Sequence, residues 1–471
     1  MPIVPPFRRW PYLRLQQRLE RPLAPITVVR GPRQIGKTTL QLQLIESLLA
    51  GGVPPQRIIR VRFDELPSLS RAKFHEPILR LVEWFETAIL DATLNEAARR
   101  GEPAFLFLDE VQNLDSWDVQ LKFLVDHATA RVMVTGSSAL RIERGRDSLA
   151  GRIRSLEVGP LRLAEISAFQ GLGGLTPWQE ENNWHEWLEG DFWRDLVGHA
   201  DRESGGVRRA FRAFSERGGY PMAQAHPDVP WSEIAQQLNE TVVRRVIEHD
   251  LRVGERGRKR DPQLLEEVFR MACRYIGQSP SFTRLAEEAG RALNSTVGVQ
   301  RIHHYIDFLD SSLLLRKVER LEMRLRRRRG QSKLCLCDHA IRAAWLQEVV
   351  PLDPEALDRS PHLTTLAGHV AESTVGSFLC SLTGLSVAHL PERGGEPEVG
   401  FVMTIGDHRI PVEVKYSRTI DPERDTAGLR AFIGKDVNNA PLGLLITRPD
   451  AQAAVSLPIV AVPLPALLLV R

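Results

Sequence analysis

"RGPRQIGKTTL", Arg30–Leu40, decides how the rest of the chain is read. It sets Gly31, Gly36, Lys37 and Thr38 in the spacing Gly-x-x-x-x-Gly-Lys-Thr. Burial of apolar surface does not account for such a loop, but an anion does. The glycines let successive backbone N–H groups turn inward around phosphate, Lys37 reaches the outer phosphates, and Thr38 offers a hydroxyl oxygen to Mg²⁺. Pro32, Arg33, Gln34, Ile35 and Thr39 complete the expected nucleotide cradle. The β-branched run from Ile26 to Val29 predicts a buried strand before the loop. Leu40, Leu44 and Leu48 predict a helix after it. Strand, glycine loop and helix together are what make the pattern a site, because the helix N-terminus adds partial positive charge.

At 471 residues the chain is too long for a single core and is expected to hold three or four domains. The formal net charge of +3 is nearly neutral, so affinity for nucleic acid has to come from local patches. Cys273, Cys335, Cys337 and Cys380 form no CxxC pair and no metal-ligand spacing, which predicts thiols in a reducing compartment. The apolar C-terminal run from Leu457 to Val470 carries Pro458, Pro463 and Pro465 and is too short to span a bilayer. A cytoplasmic protein with no membrane partner is expected.

A phosphate cradle needs an acidic partner to hydrolyse anything. "AFLFLDEVQ" provides one, an apolar run from Phe105 to Leu108 ending in Asp109 and Glu110. Two adjacent carboxylates are expensive inside a core and sensible at the mouth of a parallel sheet beside a nucleotide. Asp109 is expected to serve Mg²⁺ with Thr38, and Glu110 to polarise the attacking water. A further strand over Val132–Thr135 ends in Gly136-Ser137-Ser138, where the Ser137 hydroxyl is placed to orient water. Arg152, at a helix-to-strand corner beside Gly151, is the candidate to reach a neighbouring subunit's γ-phosphate. Arg141, Arg144, Arg146 and Arg154 compete with it for that role.

These stretches resemble the AAA+ superfamily. They look most like bacterial and archaeal AAA+ ATPases that carry a nuclease-like C-terminal domain. The residues that carry the resemblance are "GPRQIGKTT", "FLFLDEVQ", "VTGSSA", "LAGRI…LEVGPL" followed by Glu165, and "GGYP" at Gly218–Pro221. The resemblance implies an α/β protein with a five-stranded parallel sheet flanked by helices, and with ATP and Mg²⁺ as ligands. It implies an ATPase core at 1–165, a helical lid at 166–255, a winged helix-turn-helix domain at 256–345 and a nuclease-like domain at 346–471. A homo-oligomer is expected, with a hexameric ring among the forms open to it. The Trp-rich stretch 171–201 reads as a variable insertion without a chemical role.

The middle of the chain reads as two helices and a hairpin. "FTRLAEEAG" (282–290) is one helix, and Ser295 is expected to cap a second running to Leu309. Two strand patterns follow, around "LLLRKVERL" and "KLCLCD". Between Arg316 and Lys333 stand nine basic and two acidic residues, a local charge of +7. A second basic cluster lies at Arg252–Arg260. Arg324, Arg326, Arg327, Arg328, Arg329 and Lys333 are the expected contacts to DNA phosphates, with little sequence specificity.

In the C-terminal part, Glu372 on a helix and Glu413 and Lys415 on a strand suit a divalent-metal site for phosphodiester chemistry. The family pattern has aspartate where this chain has Gly400, and Glu398 two residues earlier is a poor substitute at about 6.5 Å of strand rise. A degenerate, non-cleaving site is therefore expected. Two functions remain open from sequence: an ATP-driven machine acting on DNA, such as a helicase or branch-migration motor, and a nucleotide-controlled switch acting on a protein partner.

Overall fold

The computed structural model describes residues 4–65, 75–136, 149–178, 183–250, 261–322, 331–392, 395 and 397–470. The chain divides into two compact units, essentially 1–159 and 160–471.

The first unit is built on five strands: β1 (Ile26–Arg30), β2 (Ile58–Arg62), β3 (Phe105–Asp109), β4 (Arg131–Gly136) and β5 (Ile153–Glu157). Their order is β2-β3-β4-β1-β5 and every pairing is parallel. All five residues of β3 are buried, as expected of a parallel strand covered on both faces. Ile78, Val82 and Phe85 of helix Pro77–Phe85 and Trp117, Leu121 and Leu124 of helix Trp117–His127 pack with β2, β3 and β4 into one core. Because the strands are parallel, their C-terminal ends share one edge of the sheet. Arg30, Asp109 and Gly136 end β1, β3 and β4 there. That edge is where open α/β sheets place their ligands.

The second unit gathers most of the chain from Pro160 onward into one compact body. The Trp-rich stretch contributes to the core of the second unit. Trp187 and Trp193 are fully buried, with ring centroids 4.9 Å apart in a T-shaped pair. Helix Gly190–Arg202 packs on β12 (Ile459–Pro463), and Trp178 N donates to the Leu469 carbonyl at 2.9 Å. The tryptophans therefore form core between the helical part and the chain's apolar C-terminal run. The "GGYP" stretch is a close backbone approach. A side chain at Gly218 would meet Asp338 Oδ1 at 2.0 Å, and the positive φ of +67° also favours glycine. Gly219 N donates to Asp338 Oδ2 at 2.6 Å, and Asp338 in turn caps helix His339–Leu346 through Ala340 N at 2.8 Å.

Helices Phe282–Ala292 and Val299–Ser311 precede the antiparallel pair β6 (Leu315–Val318) and β7 (Lys333–Leu336). The second helix begins four residues after Ser295, which does not cap it. Ser295 N donates to the Gly290 carbonyl at 3.0 Å and so closes the first helix instead. Ile302, Ile306 and Leu309 face the core as their spacing predicts.

The C-terminal sheet runs β12-β11-β10-β9-β8, comprising β8 (Ser386–Leu390), β9 (Val399–Ile405), β10 (His408–Lys415), β11 (Gly443–Thr447) and β12. β8, β9 and β10 are antiparallel neighbours, whereas β10, β11 and β12 are parallel. The hairpin is fastened to this sheet beyond β6: His389 N donates to Glu319 O at 2.9 Å and Leu321 N to His389 O at 2.8 Å. Among the described residues no helix is long and apolar enough to cross a membrane.

Candidate nucleotide site and a carboxylate cluster

The glycine loop follows β1 and leads into helix Lys37–Ala50. A side chain at Gly31 would meet the Val158 carbonyl oxygen at 2.1 Å, so only glycine lets the loop lie this close to the chain after β5. Gly36 takes φ +90° at the helix N-cap, and Gln34 is also left-handed at φ +60°. The Lys37 ammonium is almost buried and donates to the carbonyls of Gly31 at 2.9 Å and Pro32 at 2.7 Å. Arg9, unremarked in the sequence, braces the loop from behind by donating to Ile35 O at 2.8 Å and Gly159 O at 3.0 Å.

The acidic strand end meets this loop. Thr38 Oγ1 donates to Asp109 Oδ2 at 3.0 Å, and the buried Thr135 hydroxyl on β4 donates to Asp109 Oδ1. Arg60 on β2 places Nη2 3.4 Å from Asp109 Oδ2 and also donates to Gln41, which reaches Thr135 at 3.3 Å. Arg60, Gln41 and Thr135 were not singled out from sequence. The signal was present in the alternation of β2, Ile-Ile-Arg-Val-Arg, which puts Arg60 and Arg62 on one face of a strand whose other face is core. Glu110 sits just past the strand at φ +54°, with its N–H donating to the Thr135 carbonyl at 3.0 Å and its carboxylate accepting from Gln112.

The loop amides, Lys37, Thr38 and Asp109 are the donor and acceptor set that a nucleoside triphosphate with Mg²⁺ needs, since Mg²⁺ takes one or two protein oxygens beside phosphate oxygens. Ser137 lies outside the described residues, as do Arg141, Arg144 and Arg146. Arg152 forms a bidentate pair with Asp126, Nε to Oδ1 at 2.5 Å and Nη2 to Oδ2 at 3.0 Å.

The residues expected on DNA divide. Arg324 and Arg326–Arg329 lie outside the described residues, and so does the cluster at 252–260. Lys333 does not reach solvent: its side chain is 2% exposed, so the expectation that it lies on phosphates is corrected. β7 turns it inward onto Glu372 of helix Thr364–Ser381, with Glu398 Oε1 at 3.1 Å and the Phe401 ring centroid at 5.2 Å. Burial alone lowers the Lys333 pKa, but Glu372 and Glu398 more than reverse this and hold it above the ordinary lysine value.

Glu413 and Lys415 stand beside this group and pair with each other at 3.0 Å. Gly400 N donates to Glu413 Oε2 at 3.1 Å. A Cβ at Gly400 would lie 3.3 Å from Glu372 Oε1 and 3.7 Å from Glu413 Oε2, so the structure brings together all four residues expected there. Burial raises the carboxyl pKa of both Glu372 and Glu413, against the pull of Lys333 and Lys415 respectively. Among the described residues no group of three His, Cys, Asp or Glu side chains is placed to hold a metal ion.

Comparison with known proteins matches residues 24–167 to an AAA domain and residues 208–350 to a domain of unknown function, DUF8612. The match to the AAA domain falls almost wholly in the first unit, which carries the five-stranded parallel sheet. The uncharacterized protein MJ1637 of Methanocaldococcus jannaschii is 23% identical over 376 residues, covering 79% of this chain and 71% of its own length. The uncharacterized protein Rv2008c of Mycobacterium tuberculosis is 29% identical over 178 residues, 36% of this chain and 34% of the relative. Among solved structures, Cdc6p from Pyrobaculum aerophilum covers 74% of this chain and 95% of its own at 14% identity and a TM-score of 0.25. The Aeropyrum pernix ORC1 protein in complex with DNA covers 73% and 94% at 12% identity and a TM-score of 0.29.

Proposed function

We propose that the protein is an ATP hydrolase that couples turnover to the binding and remodelling of DNA. The observation that carries the ATPase reading is the bond from Thr38 to Asp109, which joins the glycine loop to the acidic strand end across 71 positions of sequence. In this reading the loop amides and Lys37 hold the phosphates, and Thr38 and Asp109 hold Mg²⁺, which supplies charge neutralisation on the phosphate oxygens. Glu110 accepts a proton from the attacking water, and Ser137 orients that water. Arg152 acts on a neighbouring subunit in a homo-oligomer, once released from Asp126.

The DNA reading rests on chemistry further along the chain. Two helices and a hairpin stand in the order of a winged helix, and the segment joining β6 to β7 carries Arg324 and Arg326–Arg329. Backbone contacts of that kind give affinity with weak sequence preference and a steep dependence on salt. Residues 346–471 are read as a nuclease-like domain that has lost its chemistry.

The test is ATP hydrolysis by the full chain with no DNA and with single-stranded, duplex or four-way-junction DNA, followed by unwinding of forked substrates. Stimulation by DNA that disappears when Arg326–Arg329 are all changed to alanine supports the reading. Each lost duplex phosphate contact should also flatten the salt slope by about 0.9. Hydrolysis indifferent to every DNA overturns the coupling and leaves the nucleotide-controlled switch as the better reading.

A further inference from the structure

The cluster around Gly400 contains its own cation, and that cation comes from another part of the chain. Three carboxylates meet here: Glu372 from helix Thr364–Ser381, Glu398 from the residue just before β9, and Glu413 from β10. Two of them close on Lys333, which arrives on β7 of the hairpin and is buried by the ring of Phe401 and the helix Thr364–Ser381. The third pairs with Lys415. The two ammonium groups leave this set of three carboxylates one formal charge short of neutral, whereas a divalent ion in their midst would need the carboxylates to be free.

We propose that Lys333 is the resident cation of this site, standing where a divalent metal would stand, and that it locks the hairpin to the C-terminal sheet. Three features support this. The ammonium donates to the Glu372 carboxylate, and Glu398 Oε1 completes a second contact at 3.1 Å. Gly400 supplies no ligand, although its missing side chain would point between Glu372 and Glu413. The lock is reinforced by backbone: Leu336 N, three residues along β7, donates to Ser373 Oγ at 2.9 Å, next to Glu372. A lysine cannot be exchanged as an ion can, so the site has become a fixed joint. The inference uses the nuclease-like reading only as the reason to expect a metal. It is tested without nucleotide or DNA, so its failure is separate from failure of the ATPase reading.

The experiment is a titration of the full chain with Mn²⁺ alone, with free Mn²⁺ followed by electron paramagnetic resonance. The number of ions bound by the parent protein should be unchanged by Glu413→Gln. One ion lost on that substitution would overturn the proposal, because it would place metal in the cluster despite Lys333. Lys333→Ala combined with Gly400→Asp should gain one ion per chain, at least tenfold tighter than any binding to the parent, and Glu413→Gln should abolish the gain. A folded double variant that gains nothing overturns the proposal. If that variant does not fold, Lys333→Met paired with Glu372→Gln removes one charge of each sign. It should recover at least half of the melting temperature lost by Lys333→Met alone, and no recovery would overturn the lock.

Discussion

The edge of the first sheet and the cleft beside Gly400 both set a nearly buried lysine close to carboxylates, yet they hold it differently. Lys37 donates to two neutral carbonyls, and Asp109 is held by two hydroxyls and by Arg60 at 3.4 Å. Each of these contacts is weaker than the one a polyphosphate or a divalent ion would offer, so every partner is exchangeable. Lys333 donates instead to full negative charges, with its ammonium out of contact with water. Nothing arriving from solvent offers it more. An acidic cluster with a lysine can thus be a binding site or a joint, and the charge of the lysine's present partners separates the two.

The largest expected effect tests the exchangeable side. Lys37→Ala should lower ATP turnover by on the order of a thousandfold, because the ammonium that meets transition-state charge is lost. Glu110→Gln should keep nucleotide affinity and lose turnover by a similar factor, since the amide preserves shape without a base. Turnover within tenfold of the parent in either variant would break the assignment of this edge as a hydrolytic site.

The fixed side is probed by stability. Lys333→Met leaves Glu372 buried without its partner and should cost about 3–5 kcal/mol, read by urea unfolding of the full chain. Lys333→Met with Glu372→Gln should cost clearly less than the sum of the two single changes. Additive losses would mean that the pair is not coupled and that Lys333 is merely packed there.

The two regions were not equally legible in sequence. The glycine loop could be read directly because its chemistry is local: Gly31, Gly36, Lys37 and Thr38 act within one turn of chain, and the strand and helix beside them carry their own periodicities. Asp109 was legible too, since carboxylates at the end of an apolar strand have few other reasons to be there. Lys333 was misread because it closes a run of arginines and shares their charge. Its inward turn depends on Glu372, 39 positions later, and on the alternation of β7, a strand of four residues. Arg60 was missed for a similar reason, its partner Asp109 being reached only across the β2–β3 pairing. The packing role of the tryptophans was not legible because their partners, β12 and the last residues of the chain, lie hundreds of positions away.

A smaller effect sharpens the meaning of exchangeable. The Arg60–Asp109 contact is long, and the Arg60 side chain is 23% exposed beside a nearly buried Asp109, so solvent screens the pair from the Arg60 side only. Arg60→Ala should free Asp109 and tighten Mg²⁺-nucleotide binding by no more than about fivefold, measured with a fluorescent nucleotide at several Mg²⁺ concentrations. Weaker binding would show instead that Arg60 follows the phosphates and belongs to the cradle.

The smallest effect on the folded chain is expected at Arg152, whose pairing is bidentate yet solvent-facing. Both partners are about one third exposed, Arg152 at 33% and Asp126 at 32%, so water and salt screen the attraction that its geometry offers. Arg152→Ala should leave the melting temperature unchanged within measurement scatter. ATP should bind the isolated subunit as before, because the residues expected to hold phosphate are in the glycine loop and Arg152 is not. Loss of turnover on assembly is the informative outcome. A mixture of Arg152→Ala with Lys37→Ala should then recover part of the activity, since each variant keeps what the other lacks and an active site shared across subunits can draw on both. Asp126→Asn should act in the opposite sense, loosening Arg152 and raising turnover of the assembled form slightly. Unchanged turnover in Arg152→Ala at every protein concentration would make the pair a surface contact, and Arg154 would become the residue to test next.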